Sequence, residues 1–456
     1  MANYRTVADA VAEEIRAGRL RAGDRLPTQR DFARQHDIAA STATRVYQEL
    51  ARRGLTVGEV GRGTFVRAGD RAGSGVGTRS GSGASMTGAV EPSDGRVDLE
   101  LNYPVVPEQD ELLAAGLARL LRPDALPDAM RQAGPSGTPA VREAGADLLA
   151  RAGWRPDPAR LLFAGGGRQA ISAAVTALAP PGSRLGVEEL TYPVLKAIAA
   201  RLGVTLVPLA MDGAGLVPEA VAEAHRAAPL HAVYVQPALH NPLALAMPAA
   251  RLERLAEVIT ELGLPVIEDG VWSFLCDGPP LASLVPDRTV FIDSLSKRLA
   301  PGLSVGLVVA PEWISNSLSV ALRSGGWTSM GFALEAMLRW QTDGSVPLIV
   351  DTKRRQARDR QALAHHHLGA FTTYGDPRSY YRWWELPHPW RPDTFVAAAA
   401  RHGIAVTPAA AFAVSPHHVP NAIRLGLASP PTTTLTRALT TLANLARSAP
   451  EDLVTD

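Results

Sequence analysis

One lysine stands at the end of an apolar run in the middle of the chain, where an amine could do covalent chemistry. The run Thr289 to Ile292 has the pattern of a buried strand, and the short polar loop after it carries Lys297. Pro301 and Gly302 then turn the chain before a second apolar run, Leu307 to Ala310. Desolvation at such a strand end lowers the pKa of an amine. Lys297 is therefore a candidate Schiff-base former, with an ordinary lysine of a surface loop as the alternative.

Lysine is scarce in this chain, which gives more weight to a lysine at this position. Only three of the 46 basic residues are lysines, namely Lys196, Lys297 and Lys353. The segment Ser294 to Gly306, SLSKRLAPGLSVG, resembles the cofactor-lysine segment of fold-type I aminotransferases. More narrowly, it resembles the aminotransferase-like half of MocR-type regulators of the GntR superfamily. The resemblance implies that pyridoxal 5'-phosphate forms a Schiff base with Lys297, with Ser294 and Ser296 beside it.

A glycine-rich loop upstream of this lysine has the features of a phosphate site. The run Leu161 to Ala164 reads as a strand, and three glycines separate it from the start of a helix. Glycines let the backbone approach an oxyanion, and free amides at a helix N-terminus bind phosphate. By resemblance, Gly167 and Arg168 contact the phosphate of the cofactor.

Four more residues match positions that contact the ring or the substrate in the family. By resemblance, Tyr192 stacks on the pyridine ring, Asn241 hydrogen-bonds the ring hydroxyl, and Arg424 holds the α-carboxylate of a substrate or effector. A carboxylate at Asp269 would face the pyridine nitrogen and keep it protonated, which makes the ring an electron sink. Structural roles stay open for three of them, as a core tyrosine, a helix-capping aspartate and a surface arginine of a strand.

Three positions depart from the family pattern around the cofactor. Trp272 stands where the family usually has a tyrosine that donates to the ring oxygen, although an indole can still donate one hydrogen bond. Ser304 replaces an arginine that clamps the phosphate, and Gln132 replaces a tyrosine from the partner subunit. Losing the clamp costs on the order of 1.5–3 kcal/mol, about ten- to a hundredfold in affinity. We therefore expect weakened cofactor binding, with Arg168 or Arg298 as partial replacements.

The first seventy residues have a different pattern, that of a winged helix-turn-helix. Residues 1–69 carry 12 arginines and 8 acidic residues, a local balance of +4. The pattern predicts a first helix around Val7 to Ile15, a second that Thr28 caps, and a third over about 41–53. Two short strands, Leu55 to Val57 and Thr64 to Val66, follow. The motifs RLPTQR and GRGTFV resemble the second helix and the wing of the GntR DNA-binding domain.

The resemblance assigns the DNA contacts to the second and third helices and to the wing. Short hydroxyls at a helix N-terminus suit phosphate, and an arginine in the major groove suits guanine, although each arginine could also lie on a solvated helix face. Ala40 stands where the family usually has an arginine, so operator preference is expected to differ. The expected contacts are Arg30, Ser41, Thr42, Thr44, Arg45, Arg62 and Thr64.

The rest of the chain divides into a linker and a large α/β domain. Residues 70–97 are rich in glycine and serine and read as a flexible tether. Residues 98–456 alternate helical patterns with short apolar strands, which predicts a mainly parallel sheet. By resemblance, this is the fold of PLP-dependent fold-type I aminotransferases, with a small α+β subdomain over about 340–456.

Composition sets further limits. The 456 residues carry a net charge of +1 and 46% hydrophobic residues, as soluble globular proteins do. Cys276 is the only cysteine, which fits a reducing cytosol, and neither a signal peptide nor a membrane-spanning run is evident. His365, His366 and His367 lack the spacing of a metal site and are expected on a helix surface. We expect a cytoplasmic protein without a metal.

The combined pattern favours a transcription regulator. A winged helix would bind double-stranded operator DNA, and the aminotransferase-like domain would sense pyridoxal phosphate, an amino-acid-like effector or their adduct. The fold implies a homodimer by resemblance, which would place two winged helices on paired half-sites. The alternative is a working aminotransferase that carries a DNA-binding domain. The missing tyrosine and arginine argue against efficient turnover, so transaminase chemistry is expected to be vestigial.

Overall fold

The computed structural model describes residues 4–17, 19–20, 24–53, 55–59, 63–66, 96–415 and 419–450. The N-terminal part consists of three helices and a three-stranded antiparallel sheet of order β1-β3-β2. Its elements are α1 (Tyr4–Arg16), β1 (Arg25–Leu26), α2 (Gln29–Gln35), α3 (Ala40–Arg52), β2 (Thr56–Glu59) and β3 (Gly63–Val66). The winged helix-turn-helix plan expected from sequence is therefore present, with β1 as an additional strand.

The helices of this part pack around a small apolar core. Val46 and Leu50 of α3 are fully buried, and Phe32 of α2 meets the Tyr47 ring edge-on at 5.2 Å. Thr28 caps α2, since its side chain accepts a hydrogen bond from the backbone N–H of Asp31 at 3.2 Å. These contacts fix α3 against α2 and leave the other face of α3 outside the core.

A short strand leads into the large domain. Most of the segment interpreted as a linker lies outside the described residues, which resume at residue 96. Strand β4 (Val97–Asp98) starts within the predicted linker and pairs in parallel with the later strand Ile404–Ala405. Residues 97 and 98 therefore already contact the C-terminal subdomain.

Residues 109–309 form the layers of an α/β domain. A seven-stranded sheet has the order β5-β13-β12-β11-β10-β6-β7, in which β13 alone runs antiparallel to its neighbours. The elements are α4 (Gln109–Leu120), α5 (Leu126–Ala129), α6 (Pro139–Leu149), β5 (Leu161–Ala164), α7 (Gly167–Leu178), β6 (Arg184–Glu188), α8 (Pro193–Leu202), β7 (Thr205–Leu209), β8 (Met211–Asp212), β9 (Gly215–Leu216), α9 (Pro218–Ala227), β10 (Ala232–Val235), α10 (Ala249–Leu262), β11 (Val266–Asp269), β12 (Thr289–Ser294), α11 (Leu295–Arg298) and β13 (Gly306–Val309).

The remaining elements complete this domain and add a smaller one. A four-stranded antiparallel sheet has the order β14-β15-β18-β17, and the long helix α14 leads into it. The elements are α12 (Glu312–Ser324), α13 (Gly331–Thr342), α14 (Ser345–Leu368), β14 (Thr373–Tyr374), β15 (Tyr381–Glu385), α15 (Pro392–Arg401), β16 (Ile404–Ala405), β17 (Thr407–Pro408), β18 (Ala422–Gly426) and α16 (Thr432–Arg447).

The large sheet brings the predicted chemistry to one edge. Its central strands β10, β11 and β12 are buried along their whole length, as apolar runs in a sheet covered on both faces must be. Asp269 ends β11 and pairs in register with Ile292 of β12, two residues before Ser294. Because β11 and β12 are parallel, the carboxylate of Asp269 and the turn that carries Lys297 follow neighbouring strand ends.

Candidate functional site

Lys297 lies in a one-turn helix at the end of β12. Ser294 caps this turn, since its Oγ accepts from the backbone N–H of Ser296 at 3.2 Å and donates to the carbonyl of Val305 at 3.2 Å. Lys297 Nζ donates to the carbonyl of Asn102 at 2.6 Å and lies 3.7 Å from the centroid of the Tyr103 ring.

Several groups act on the charge of this amine. Burial, followed by repulsion from Arg168, Arg424 and Lys353, holds the pKa of Lys297 well below its ordinary value of 10.5. The shift favours the neutral amine, whose lone pair is the nucleophile that Schiff-base formation needs.

Asp269 is a buried carboxylate with three donors. The Tyr234 hydroxyl donates to Oδ2 at 2.5 Å, and the Gln236 amide donates to the same oxygen at 3.0 Å. The backbone N–H of Val271 donates to Oδ1 at 3.2 Å. Burial raises the pKa of Asp269, while these hydrogen bonds oppose the rise. Oδ1 accepts only this one hydrogen bond and keeps acceptor capacity for a further N–H.

The glycine loop places a helix N-terminus beside the lysine turn. Gly166 has φ = 134°, a value open to glycine, and Gly167 begins α7. A Cβ atom added to Gly167 would lie 3.3 Å from Ser294 Cβ and 3.5 Å from Val271 Cγ1. The loop therefore approaches the turn closely, and the first amides of α7 have no acceptor within the helix.

Arg168 and Tyr192 face each other across this loop. The Arg168 side chain is exposed, and its charge interacts with the Tyr192 hydroxyl, which raises the pKa of Arg168. Burial raises the pKa of Tyr192, and Arg168 opposes that rise. The charge of Arg168 also repels a proton on the Lys297 amine, so the loop arginine and the lysine lie close enough to interact.

Asn241 and Arg424 bind each other. Arg424 Nη1 donates to Asn241 Oδ1 at 2.9 Å, and Nη2 donates to the carbonyl of Glu100 and to Thr407 Oγ1. The guanidinium lies 4.9 Å from the centroid of the Tyr381 ring and a similar distance from the ring of Phe412. Arg424 is only 7% exposed, and its Nε has no partner. The strand arginine is thus an interior cation with an unused donor.

Trp272 hydrogen-bonds a tyrosine that the sequence analysis did not single out. Its indole N–H donates to the Tyr381 hydroxyl at 2.9 Å, and the two rings meet edge-on at 5.3 Å. The Trp272 ring centroid lies 5.5 Å from Lys297 Nζ, and burial raises the pKa of Tyr381 to about 12. A phenol therefore reaches this cluster from β15 of the small sheet. Strand β15 is buried on both faces over its first four residues.

Two of the three departures from the family pattern have exposed side chains. The side chains of Ser304 and Gln132 are exposed. Arg298, considered as a replacement for the missing phosphate clamp, is buried in an ion pair with Asp293 and lies over the Phe274 ring at 5.2 Å. That expectation for Arg298 was wrong, because its charge is already neutralised in the core. Of the two expected replacements for the clamp, only Arg168 is exposed.

One extended segment contacts both cations of the pocket. We call Leu99 to Tyr103 the lead-in segment, since it follows β4. The carbonyls of Glu100 and Asn102 accept from Arg424 and Lys297. The alternate carbonyls, of Leu99 and Leu101, accept from the backbone N–H of Gly426 at 2.7 Å and from Ser429 Oγ at 2.9 Å. The segment thus joins β18 on one side to the pocket on the other.

The candidate DNA contacts lie on α2, α3 and β3. Arg30, Ser41 and Arg45 are exposed, and Ser41 and Arg45 share a face of α3 because they are four residues apart. Thr44 Oγ1 donates to Gln29 Oε1 of α2 at 2.9 Å. Thr42 and Thr64 are half-buried, and Arg62 lies outside the described residues. The N-terminal turn of α3 therefore presents polar groups beside those of α2.

The part of the chain that the structure describes holds no group of three or more His, Cys, Asp or Glu side chains arranged to bind a metal ion. His365, His366 and His367 lie in the last turn of α14, with the first two exposed. Within the described ranges, no helix combines the length and the hydropathy needed to cross a bilayer.

Each of the two parts of the chain matches a known protein family. Residues 107–442 match the aminotransferase class I and II family, and residues 3–66 match the gntR family of bacterial regulatory proteins. The HTH-type transcriptional regulator YdeF of Bacillus subtilis is 28% identical over 433 residues, which cover 94% of this chain and 91% of the relative. The HTH-type pyridoxine biosynthesis transcriptional regulator PdxR of Corynebacterium glutamicum is 25% identical over 388 residues, 79% of this chain and 78% of the relative.

Solved structures share the fold of the larger part. An archaeal alanine:glyoxylate aminotransferase superposes with a TM-score of 0.71 at 21% identity, covering 77% of this chain and 91% of that one. The α-aminoadipate aminotransferase LysN of Thermus thermophilus also gives a TM-score of 0.71 at 21% identity, over 79% and 94% of the two chains. At this identity the likeness concerns the fold, which is the fold expected from the sequence.

Proposed function

The chain belongs to the aminotransferase class I and II family and carries a gntR-family DNA-binding part, and from this premise we propose that it is a regulator whose larger domain reports a small molecule to DNA. A transcription regulator with an aminotransferase-like domain is what both family matches and the named relatives indicate. We assign DNA binding to residues 1–69, the tether to residues 70–97 and ligand binding to residues 98–456. The single observation that carries the proposal is the geometry of the Lys297 amine, which lies against the Tyr103 and Trp272 rings and hydrogen-bonds the same lead-in segment as Arg424.

The residues of the pocket fit pyridoxal 5'-phosphate. The close approach of Gly167 to Ser294 leaves the first amides of α7 and the exposed Arg168 as donors for a phosphate. Asp269 offers a buried acceptor for the N–H of a pyridinium ring, and Tyr192 lies on the same side as Arg168. Lys297 supplies the amine for the Schiff base, and Ser294 and Ser296 hold its turn. When bound, the cofactor supplies an electron-accepting ring.

The other pocket residues orient the ligand and keep water out. Asn241 is held by Arg424 through its carbonyl oxygen, so its amide N–H groups are directed away from that bond and can donate to a ring oxygen. Trp272 and Tyr103 form aromatic walls on two sides of the lysine amine. Arg424 has an unused Nε–H in a buried site, which suits the carboxylate of an amino-acid-like effector.

Sensing can follow from the bonds that a ligand must replace. Lys297 Nζ now holds the carbonyl of Asn102, and Arg424 holds the carbonyl of Glu100. A ligand that takes both cations removes both bonds from the lead-in segment. That segment follows directly on the tether side of the domain, through β4. The proposed signal is a change in the conformational order of the backbone from Leu99 to Tyr103.

The DNA side of the proposal rests on α3. Arg45 and Ser41 occupy the exposed face near its N-terminus, and Arg30 extends from α2. We propose that a homodimer presents two such helices to paired half-sites of operator DNA, with phosphate contacts doubled.

Two measurements on the full chain test this function. Protein loaded with pyridoxal 5'-phosphate should absorb visible light, and Lys297→Ala should abolish that absorbance. Borohydride reduction followed by peptide mass analysis should place the cofactor on Lys297 alone. Visible absorbance that survives Lys297→Ala, or a label on Lys196 or Lys353, would refute the assignment.

A working aminotransferase is the second candidate, because Lys297, Asn241 and Arg424 lie close together and Asp269 ends the strand next to the one that leads to Lys297. Incubation with an amino acid and a keto acid distinguishes the two functions. Turnover that depends on Lys297 would favour the enzyme, whereas altered operator affinity without turnover would favour the regulator.

A further inference from the structure

Another lysine lies directly behind the candidate Schiff-base lysine. Lys353 belongs to α14, 56 residues further along the chain, and its side chain is fully buried. Its own carbonyl accepts a hydrogen bond from the Tyr380 hydroxyl at 2.8 Å, which ties α14 to the segment before β15 at this point. A lysine is rarely buried without a specific partner, so this position needs an explanation.

The partners of Lys353 are the carbonyls at the end of the turn that carries Lys297. Nζ donates to the carbonyl of Lys297 at 3.0 Å and to the carbonyl of Leu299 at 2.5 Å. Helix α11 has only four residues, and Leu299 leaves helical geometry with φ = −113° and ψ = −83°. The last carbonyls of such a turn have no N–H partner within the helix. Lys353 satisfies two of them.

The direction in which the pKa of Lys353 shifts agrees with this geometry. A neutral amine has two N–H donors, which matches the two carbonyls it contacts. Burial, followed by repulsion from Arg298 of α11, lowers the pKa of Lys353 to about 7. The charge that remains on Lys353 near neutral pH also contributes, after burial and the two arginines Arg168 and Arg424, to the low pKa of Lys297.

We propose that Lys353 is a positioning residue for Lys297, because its amine holds the C-terminal end of the lysine-bearing turn while Ser294 holds the N-terminal end. With both ends fixed, the Lys297 side chain is directed toward the lead-in segment and the aromatic walls of the pocket. Lys353 is itself too deeply buried to meet a cofactor. The proposal rests on the proposed role of Lys297 as the residue that binds pyridoxal 5'-phosphate.

The chain supplies a matched control. Lys196 of α8 also donates to two carbonyls, those of Ala411 at 3.0 Å and Ala413 at 2.7 Å. Neither carbonyl belongs to the turn that carries Lys297. Lys353→Met and Lys196→Met therefore each remove an amine that donates to two carbonyls. Only in Lys353→Met do those carbonyls belong to the turn that carries Lys297.

The first readout is the reactivity of Lys297 in the cofactor-free protein as a function of pH. With three lysines in the chain, an amine-acylating reagent followed by peptide mass analysis reports each lysine separately. Removing a positive neighbour should move the midpoint of Lys297 labelling to higher pH in Lys353→Met. The midpoint should stay where it is in Lys196→Met. Because no cofactor is present, this readout holds even if the Schiff-base assignment fails.

The second readout is cofactor binding, followed by titration of the visible absorbance. Loss of the two bonds should raise the Kd for pyridoxal 5'-phosphate by about tenfold in Lys353→Met and leave it unchanged in Lys196→Met. Lys353→Gln, which keeps N–H donors without the charge, should recover part of the affinity but not the labelling midpoint.

An unchanged midpoint together with an unchanged Kd in Lys353→Met would overturn the proposal. Failure of both Lys353→Met and Lys353→Gln to fold would also overturn it, in favour of a lysine that serves the core alone.

Discussion

Replacing Lys353 by methionine should change the stability of the protein in opposite directions at low and high pH. The pKa of Lys353 falls from 10.5 to about 7 on folding, mainly through burial. Between these values the unfolded chain binds a proton at this site that the folded protein does not bind, so folding becomes more favourable as pH rises. Below pH 7 both states are protonated, and the folded state carries the full penalty of a buried charge.

The size of this penalty follows from the shift. At 1.36 kcal/mol per pKa unit, it amounts to about 4 kcal/mol at pH 7, about 2 kcal/mol at pH 9 and below about 1 kcal/mol at pH 10. Methionine avoids this penalty and fills a similar volume, but it loses the two hydrogen bonds to the Lys297 and Leu299 carbonyls. Those bonds contribute about 1 kcal/mol each. Lys353→Met should therefore stabilise the protein by about 2 kcal/mol at pH 7 and destabilise it above about pH 9.

Denaturant unfolding of the cofactor-free protein at pH 6, 7, 9 and 10 checks this expectation. Each comparison is between variant and wild type at one pH, so changes elsewhere in the chain cancel. Lys196→Met is the control, since Lys196 is only half-buried and should give a weaker dependence on pH. Destabilisation by Lys353→Met of equal size at pH 6 and pH 10 would refute the reasoning, because it would show that folding leaves the proton affinity of Lys353 unaltered.

Three further predictions concern the ligand and the DNA. Ser304→Arg, which restores the family's phosphate clamp at an exposed position, should lower the Kd for pyridoxal 5'-phosphate by about ten- to a hundredfold, whereas Ser304→Ala should not. Arg45→Ala and Arg30→Ala should each weaken binding to a selected operator duplex by about 1–3 kcal/mol in a gel shift, with the visible absorbance unchanged. Adding cofactor and amino acid together should speed amide hydrogen exchange at Tyr103. In Lys297→Ala, adding the cofactor should not change that exchange rate. Equal exchange rates with and without the ligands in the wild type would contradict the proposed signal.

The elements that bear chemistry could be predicted where local pattern and burial agree. The run before Lys297 became β12 because its apolar residues fill a sheet covered on both faces, and the capping threonine of α2 acts as its type and position indicate. The three glycines after β5 gave the loop and helix start that the spacing suggested. In each case the signal lies within a few consecutive residues.

What could not be predicted depends on contacts between distant segments. Nothing in the sequence around Lys353 connects it with a turn 56 residues earlier, and Tyr381 meets Trp272 only because the small sheet folds against the large domain. The interpretation of Arg298 failed for a different reason: its partner Asp293 is only five residues away, but the sequence does not show that the turn directs the guanidinium into the core. The strand β1 was missed because two residues carry no periodicity.

Most polar groups of the site have hydrogen-bond partners within the protein, although the Nε–H of Arg424 does not. Lys297 holds a carbonyl, Arg424 holds Asn241 and another carbonyl, and Asp269 accepts from Tyr234. A ligand therefore exchanges bonds and does not simply add them, so part of its interaction energy is spent on release of internal partners. Because two of those partners are carbonyls of one segment, the energy of release is concentrated in Leu99 to Tyr103, directly after β4. We expect that arrangement to lower ligand affinity and to couple occupancy to the backbone, which would serve a sensor better than turnover.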